Sequence, residues 1–212
     1  GYLKKVDFFY VPDVNKFILE TFKFYGIKKH QLINSKSFKH IVADQVYVFE
    51  HLYMKKGNLQ KVFASVPKWI PTFLNKKFLK LKKKFKCSNK IFIDRTDSKF
   101  LHFKIINYKE TKNYFQKKGF KFYNLSKLTF FKQVYLFNHA DIIVGAHGAG
   151  FANLAFCKKK TKVYEFLPKR ESYRNGYKTI SNHLKLKHYK IITKNEPSFG
   201  INVDIKLIKN IF

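Results

Sequence analysis

The sequence predicts an α/β fold with a parallel sheet, and two observations support this. From Lys90 onward, short apolar runs typical of buried strands alternate with segments whose apolar residues recur at helical spacing, which indicates right-handed βαβ crossovers. The strongest strand candidate, 141–145, ends in a glycine-rich turn that opens a helix. That arrangement is typical of a Rossmann-like unit.

The predicted elements of this half follow one another along the chain. They are a strand at 91–93, a helix at 108–117 that Gly119 ends, a strand at 120–123, a helix at 130–138, the strand at 141–145, a short helix after Gly150, a strand at 162–167, a helix at 176–184 and a last strand near 189–192.

Fewer helices and strands are predicted in the first 85 residues. These are a strand at 6–11, a turn and helix N-cap at Pro12-Asp13, a helix at 17–25 that Gly26 ends, a strand at 41–49, and an amphipathic helix at 67–84 with a lysine-rich outer face. The basic run 82–84 indicates a boundary. We therefore predict a partial N-terminal α/β region with a linker helix at 1–85 and a Rossmann-like domain at 86–212.

The net charge of +31 raises the question of a polyanionic partner. Lysine supplies 41 of the 44 basic residues, and only Arg95, Arg170 and Arg174 are arginine. Nucleic-acid readers depend on the bidentate arginine fork, and the lysines form no single stripe along the sequence. A genome biased towards A/T-rich codons, which encode Lys, Asn, Ile, Phe and Tyr, explains the composition better than a dedicated nucleic-acid surface does. Contact with an anionic membrane surface stays open as well.

The cysteine positions and the hydropathy pattern argue against a zinc site, a disulfide framework and a membrane-spanning segment. Cys87 and Cys157 are far apart, and no Cys/His cluster has the spacing of a zinc site or a disulfide framework. A reducing, cytoplasmic location fits this usage. No apolar run approaches the length that spans a bilayer, so any membrane contact is expected to be peripheral, at the inner face.

The glycine-rich turn is the first candidate site. After the strand at 141–145, backbone N–H groups and a helix N-terminus can bind phosphate, and His147 can donate to a diphosphate oxygen. The candidate ligand-binding residues here are Gly145, His147, Gly148, Ala149, Gly150 and Asn153. The turn by itself equally fits a tight connection, and His147 a packed side chain.

Two further strand ends carry polar candidates. Glu165 lies near the carboxyl end of the strand at 162–167, where it would either bind both ribose hydroxyls or be a solvated charge. Arg95 and Asp97 follow the strand at 91–93. Arg95 would contact an anion, or the two would form a structural ion pair.

The order and spacing of these motifs resemble glycosyltransferase family 61, whose members include protein O-GlcNAc and xylosyl transferases and bacterial surface-polysaccharide enzymes. The resemblance is dense from Lys90 to Ile192. It rests on the segments Arg95-Thr96-Asp97, 104–107 (Lys-Ile-Ile-Asn), Gly119-Phe120, 130–156 and 161–168. The sequence departs from the family at Thr96 and Lys104, where arginine is frequent.

The resemblance implies a GT-B architecture, with two Rossmann-like domains and the donor bound by the second. It also implies an inverting transferase that uses a nucleotide-sugar, with UDP as the expected nucleotide, and no metal. Arg95 and the His147 turn would neutralise the diphosphate leaving group, Asn153 would fix the turn or contact the donor, and Glu165 would bind the ribose. Asp97 and Asp44 are the candidates for the general base.

The acceptor would be a surface polysaccharide, a glycolipid, a lipid-linked glycan or a protein. A complete GT-B enzyme needs two domains of ~100–200 residues each, so we expect this chain, which begins at Gly1, to lack part of the first. The alternatives are a non-catalytic nucleotide-binding relative and a basic nucleic-acid-binding α/β domain.

Overall fold

The chain forms two compact units, Gly1–Glu50 and His51–Phe212. The computed structural model describes residues 5–48, 65–79, 85–97, 102–196 and 200–212. The α/β class predicted from the sequence is confirmed, because both units contain parallel strands connected through helices. The division after Glu50 differs from the predicted boundary after residue 85.

The first unit contains one βαβ element. It consists of β1 (Phe9–Val11), α1 (Lys16–Phe24) and β2 (Leu32–Asn34), with the two strands parallel. The N-cap of α1 is Asn15, whose side-chain oxygen accepts from the Ile18 N–H at 3.1 Å. The predicted cap, Asp13, instead accepts from the N–H of Val14. Gly26, with φ of +80°, follows the helix as predicted.

The predicted strand at 41–49 is wrong for residues 41–48, which are in no strand; Phe49 lies outside the described residues. Val42 and Val48 have relative exposures of 103% and 84%. Among the described residues the sheet of this unit contains only β1 and β2. An apolar run becomes a strand only where a neighbouring strand takes its backbone hydrogen bonds, and within the described part of the chain this run has no such neighbour.

The second unit contains the larger sheet and its helices. Its elements are α2 (Trp69–Phe78), β3 (Lys90–Asp94), α3 (Tyr108–Lys117), β4 (Lys121–Asn124), α4 (Phe130–His139), β5 (Ile142–Ala146), a 3-10 helix (Ala149–Phe156), β6 (Lys162–Pro168), α5 (Gly176–His183), β7 (Lys187–Thr193) and α6 (Ile205–Ile208). From β3 to β7 every predicted element is present, with ends shifted by at most a few residues.

The five strands are all parallel and lie in the order β4-β3-β5-β6-β7. This is the 2-1-3-4-5 order of one doubly wound class. The order reverses between β3 and β5, so the crossovers on the two sides of that point run to opposite faces of the sheet. The carboxyl ends of β3 and β5 thus border the crevice in which such sheets bind ligands.

Aromatic side chains form much of the core on both faces of the sheet. On one face, Phe92 of β3 and Phe166 of β6 belong to a cluster with Phe115 of α3 and the C-terminal residues Ile201 and Val203. Alternate strand residues point the other way. On that face Phe151 of the 3-10 helix packs beside β5, and its ring comes close to the Cα of Gly145.

Helix α2 packs within the second unit, which explains why the unit extends upstream of the predicted boundary. Phe78 is fully buried, and its ring makes edge contacts with Phe130 of α4 and Phe156 of the 3-10 helix at 5.0 and 5.7 Å. The Asn75 side chain donates to the carbonyl oxygens of Ala155 and Cys157, each at 2.9 Å. The linker helix of the sequence prediction is therefore part of this core.

The C-terminal residues 200–208, for which no element was predicted, are fixed by Asn107. Its side chain donates to the Val203 carbonyl oxygen at 2.8 Å and accepts from the Val203 N–H at 2.9 Å. Ile105 and Ile201 form an isolated parallel bridge next to it. The asparagine of the 104–107 motif thus has a structural role, whereas Lys104 is exposed.

Within the described ranges, the helices are too short or too polar to cross a bilayer.

We expect Phe78→Ala to lower the free energy of unfolding by about 3–5 kcal/mol, because it removes a fully buried ring and leaves a cavity. Phe73→Ala, on the exposed face of the same helix, is the matched control and should change it by less than about 0.5 kcal/mol. Urea unfolding followed by circular dichroism measures both. Equal effects would contradict the packing of α2 in this unit.

Candidate functional site

The candidate site lies where the strand order reverses. β3 ends at Asp94 and is followed by Arg95, and β5 ends at Ala146 and is followed by His147. Because these parallel strands are neighbours, their carboxyl ends meet at one edge of the sheet. The two strongest sequence candidates are therefore brought together, as predicted from their positions after separate strands.

Arg95 is held against the glycine-rich turn. Its guanidinium Nη1 donates to the backbone carbonyl oxygen of His147. A Cβ atom at Gly148 would collide with this guanidinium, and the Gly148 backbone has φ +159° and ψ 176°, a region that is almost restricted to glycine. Gly148 is therefore needed so that Arg95 can approach the turn.

The other glycines of the turn are packing positions. A Cβ at Gly145 would lie 3.1 Å from Cβ of Ile93, and one at Gly150 would lie 3.0 Å from a methyl group of Leu125. Ala149, at the start of the 3-10 helix, is exposed. Among the described residues, the N–H groups of Ala149 and Gly150 have no hydrogen-bond acceptor, as expected for the first residues of a helix. Of the predicted phosphate contacts, these two N–H groups remain available to a ligand.

Asn153 fixes the turn, which is one of its two predicted roles. Its side chain is buried and donates to the Gly150 carbonyl oxygen at 3.2 Å and to the Gln133 side-chain oxygen at 3.1 Å. Gln133 in turn donates to the carbonyl oxygens of Leu125 and Leu128. Since the Asn153 amide is used in these bonds, its contribution to a site is to hold the backbone of the turn.

Glu165 is the centre of a buried hydrogen-bond network. One carboxylate oxygen lies 2.5 Å from Nδ1 of His147, and the other lies 3.0 Å from Nε2 of His188. Nδ1 of His188 lies 2.8 Å from the hydroxyl oxygen of Ser181. The Glu165 side chain is 1% exposed, so the alternative of a solvated strand-end charge is wrong. In this structure both oxygens that were expected to meet a ribose are bonded to histidines.

The network keeps Glu165 ionised. Burial alone raises the pKa of Glu165, but the hydrogen bonds from His147 and His188 outweigh it and hold the pKa below its ordinary value. A buried carboxylate needs such partners, because its charge is otherwise expensive to remove from water.

Four more side chains surround His147, and sequence reasoning missed them. Phe103 and Tyr177 place their rings 5.0 Å from its imidazole. Arg174 lies over the Phe103 ring at 5.7 Å and pairs with the buried carboxylate of Glu171. Two of the three arginines in the chain, Arg95 and Arg174, therefore interact with residues around this histidine, and both interact electrostatically with Tyr177. The scarcity of arginine could have indicated Arg174, as it indicated Arg95.

Phe103 has an unusual backbone that supports this arrangement. It is buried with φ of +60°, a conformation that bulky residues rarely adopt. Such strain persists only where the surroundings over-determine it, and it concentrates at functional sites. A single sequence carries no signal for this conformation.

The electrostatics of the cluster favour an anionic ligand. Burial lowers the pKa of the Arg95 guanidinium, while Tyr177 and Asp97 act in the opposite direction. Burial raises the pKa of Tyr177 to about 12, so its hydroxyl stays neutral. Arg174 also loses solvation, but its bond to Glu171 keeps its pKa above the ordinary value. Both guanidinium charges are therefore retained in partly desolvated surroundings, where a ligand charge interacts more strongly than in water.

Both candidates for the general base are exposed. Asp97 is exposed on the turn that follows β3, and no ion pair with Arg95 within 4.0 Å occurs in the part of the chain that the structure describes. The ion-pair alternative is thus wrong. Asp44 is exposed in the first unit. The described ranges contain no group of three or more His, Cys, Asp or Glu side chains that could hold a metal ion.

A comparison with family models supports the motif-based resemblance. The model described as Glycosyltransferase 61 matches residues 6–164, more than half of the chain. Arg95, His147 and Asn153 lie within the matched range, whereas Glu165, Arg174, Tyr177 and His188 follow it. A comparison with curated proteins finds no match.

We expect Glu165→Gln to flatten the acid-side loss of stability. Because the folded-state pKa of Glu165 is lowered, its ionised form stabilises the fold above its ordinary value of 4.5, and this contribution is lost as the pH falls through the folded-state value. Urea unfolding between about pH 6 and pH 3 measures how steeply the free energy of unfolding falls as the pH is lowered. The solvent-exposed Glu110→Gln is the control and should retain the wild-type slope. Parallel curves for all three proteins would contradict a buried, ionised Glu165.

Proposed function

The chain belongs to glycosyltransferase family 61, and from this membership and the geometry of the site we propose that it transfers a sugar, with inversion, from a nucleotide-sugar donor to a glycan, lipid-linked or protein acceptor. The donor we propose is a UDP-sugar. The observation that carries the proposal is the placement of Arg95 and His147 where the sheet order reverses, with Arg174 over the Phe103 ring that packs against His147.

These residues fit the charge that develops on the diphosphate. When the bond between the anomeric carbon and the phosphate oxygen breaks, the leaving group gains negative charge. Preorganised cations and N–H donors stabilise that charge where water is excluded. We assign this role to Arg95, Arg174, His147 and the free N–H groups of Ala149 and Gly150. In this proposal the arginines perform the charge neutralisation for which other transferases use a metal ion.

Inversion requires a base on the opposite side of the sugar. The acceptor hydroxyl oxygen forms the new bond to the anomeric carbon, and its proton passes to the base as the nucleoside diphosphate leaves. Of the two predicted candidates, we propose Asp97, because it follows Arg95 on the same turn and its carboxylate is exposed. Glu165 keeps His147 oriented, and because its side chain is 1% exposed it does not reach the ribose in this structure.

The family membership also favours a two-domain GT-B enzyme. We propose that the second unit is the donor domain of a GT-B enzyme and that the first unit is part of its acceptor side. The resemblance to GT-B transferases supports this assignment, together with the doubly wound sheet order of the second unit.

The outer face of α2 suits peripheral contact with an anionic membrane, where a lipid-linked acceptor would be found. Trp69 and Phe73 are exposed on this helix one turn apart, and Lys68 and Lys76 are exposed beside them. Aromatic rings next to lysines are typical of helices that lie at a membrane interface. Each lysine near an anionic surface contributes about 1 kcal/mol to binding.

We expect UDP to bind saturably in isothermal titration, and Arg95→Ala, Arg174→Ala and His147→Ala each to weaken the binding at least tenfold. The loss of one charge-assisted hydrogen bond, about 1.5–3 kcal/mol, has this effect. Arg170→Ala is the matched control, because its guanidinium bonds to the Glu196 carbonyl oxygen, and we expect no more than a threefold change.

The same titration with EDTA present should give the same affinity. A requirement for Mn²⁺ or Mg²⁺ would contradict the proposed metal independence but not the proposed binding of UDP. Tight binding of duplex DNA without any UDP signal would instead favour the nucleic-acid alternative. UDP binding without sugar transfer would favour the non-catalytic relative.

For the membrane contact, we expect the protein to co-sediment with phosphatidylserine vesicles and not with neutral phosphatidylcholine vesicles. The double variant Trp69→Ala/Phe73→Ala removes the ring anchors and should reduce the bound fraction several-fold. Ile106→Ala, another exposed apolar residue, is the control. Binding that is unaffected by the double variant would place the contact elsewhere or reduce it to lysine charge alone.

A further inference from the structure

The hydrogen-bond directions in the Glu165 network follow from the chemistry of the groups. An ionised carboxylate can only accept. Nδ1 of His147 and Nε2 of His188, which face its two oxygens, must therefore each carry a hydrogen. When neutral, His188 then presents Nδ1 as an acceptor, and the Ser181 hydroxyl at 2.8 Å donates to it.

A second proton on His188 is disfavoured by what lies around it. Its side chain is 1% exposed, and Ser181 is fully buried. If Nδ1 of His188 became a donor, the Ser181 hydroxyl would have to accept this bond and direct its own hydrogen elsewhere. Within the described residues the hydroxyl has no second acceptor. An unsatisfied buried donor costs more than an ordinary hydrogen bond contributes.

His147 differs at its second nitrogen. No hydrogen bond involves Nε2 of His147 among the residues that the structure describes, and its side chain retains 11% exposure. A proton that enters the network can therefore be carried at this position without breaking a bond. It gives an imidazolium beside a carboxylate, and the pair is neutral.

We propose that Ser181 and His188 are positioning residues that direct the ionising proton of this network onto His147. His147 then presents Nε2–H as a donor to an anionic ligand. The inference rests on the proposed function, in which that ligand is the diphosphate of the donor. His188 and Ser181 act through Glu165 and do not contact the ligand.

Other groups around the network act on the same proton. His102, Tyr177 and Lys190 interact electrostatically with His147 or Glu165, and Arg95, Arg174 and Glu171 interact with His102 in turn. They are unchanged in the variants below, so they affect all of these proteins alike.

The first test uses the unsubstituted protein and needs no ligand. Nitrogen-15 NMR of ring-labelled histidines distinguishes the two neutral tautomers and the charged ring. At high pH we expect the Nδ1–H tautomer for His147 and the Nε2–H tautomer for His188, and on acidification His147 should take up a proton before His188. The opposite tautomer at either ring, or earlier protonation of His188, would overturn the inference.

The second test compares two substitutions of His188. In His188→Gln the amide N–H₂ can occupy the position of the ring Nε2 and still donate to Glu165. In His188→Asn the shorter side chain reaches only the Nδ1 position, so Glu165 loses a donor. A carboxylate that has lost a donor holds a neighbouring imidazolium proton more tightly. The titration midpoint of His147 should therefore rise by about one pH unit in His188→Asn and stay near the wild-type value in His188→Gln.

UDP affinity provides a readout that separates positioning from general structural support. If charged His147 binds the diphosphate, affinity falls as the pH rises through the His147 midpoint, and the fall should move to higher pH in His188→Asn only. Equal midpoints in the two variants, with affinity reduced equally at every pH, would show a structural role alone and overturn the proposal.

Thermal unfolding checks that both variants fold, and Ser181→Ala tests the network if His188→Asn does not. Without the hydroxyl, Nδ1 of His188 loses its hydrogen-bond partner, so the midpoint of His188 should differ from that of the wild type. Unchanged tautomers and midpoints in Ser181→Ala would overturn the part assigned to Ser181. If UDP does not bind the wild-type protein, the proposed function fails, while the NMR measurements still decide where the proton resides.

Discussion

The burial of one carboxylate, that of Glu165, is the constraint on which the candidate site depends. The charge is removed from water, and it is stable there because a histidine donates to each of its oxygens. Those histidines come from different elements: His147 follows β5 and His188 lies in β7, on either side of the strand that carries Glu165. The network therefore exists only if these three parallel strands keep their register, in which Gly145 is opposite Glu165 and Val163 is opposite His188.

A second constraint, steric in origin, joins the sheet to the turn. Arg95 reaches the His147 carbonyl oxygen because Gly148 has no Cβ atom in its path. The turn itself is held from the other side by the Gln133–Asn153 amide pair. The same backbone segment thus carries the imidazole, accepts the guanidinium and begins the 3-10 helix. A change in any one of these contacts displaces the others, because they share a few consecutive residues.

The local sequence pattern predicted a helix or strand correctly where the residues of that element are enough to define it. Apolar runs and glycine stops predicted the elements from β3 to β7, because a strand buried on both faces needs a continuous apolar run and a helix end accommodates a glycine with positive φ. The local pattern failed at 41–48, whose apolar residues have no neighbouring strand in the described ranges, and at the boundary after residue 85, because Phe78 packs against α4 and the 3-10 helix. Pairing and packing partners are distant in sequence, and a local pattern does not contain them.

For the site, the sequence by itself determined the α/β class, the family, and the positions of Arg95 and His147 after neighbouring strands. These follow from motif order and from the rule that parallel strands end at one edge. Only the tertiary structure decided that Glu165 is buried between His147 and His188, that Asn153 holds the turn, and that Arg174, Phe103 and Tyr177 surround the imidazole. The physical reason is that hydrogen bonding and burial depend on which side chains of separate elements come into contact. Those contacts form only in the complete fold, so a local sequence pattern does not contain them.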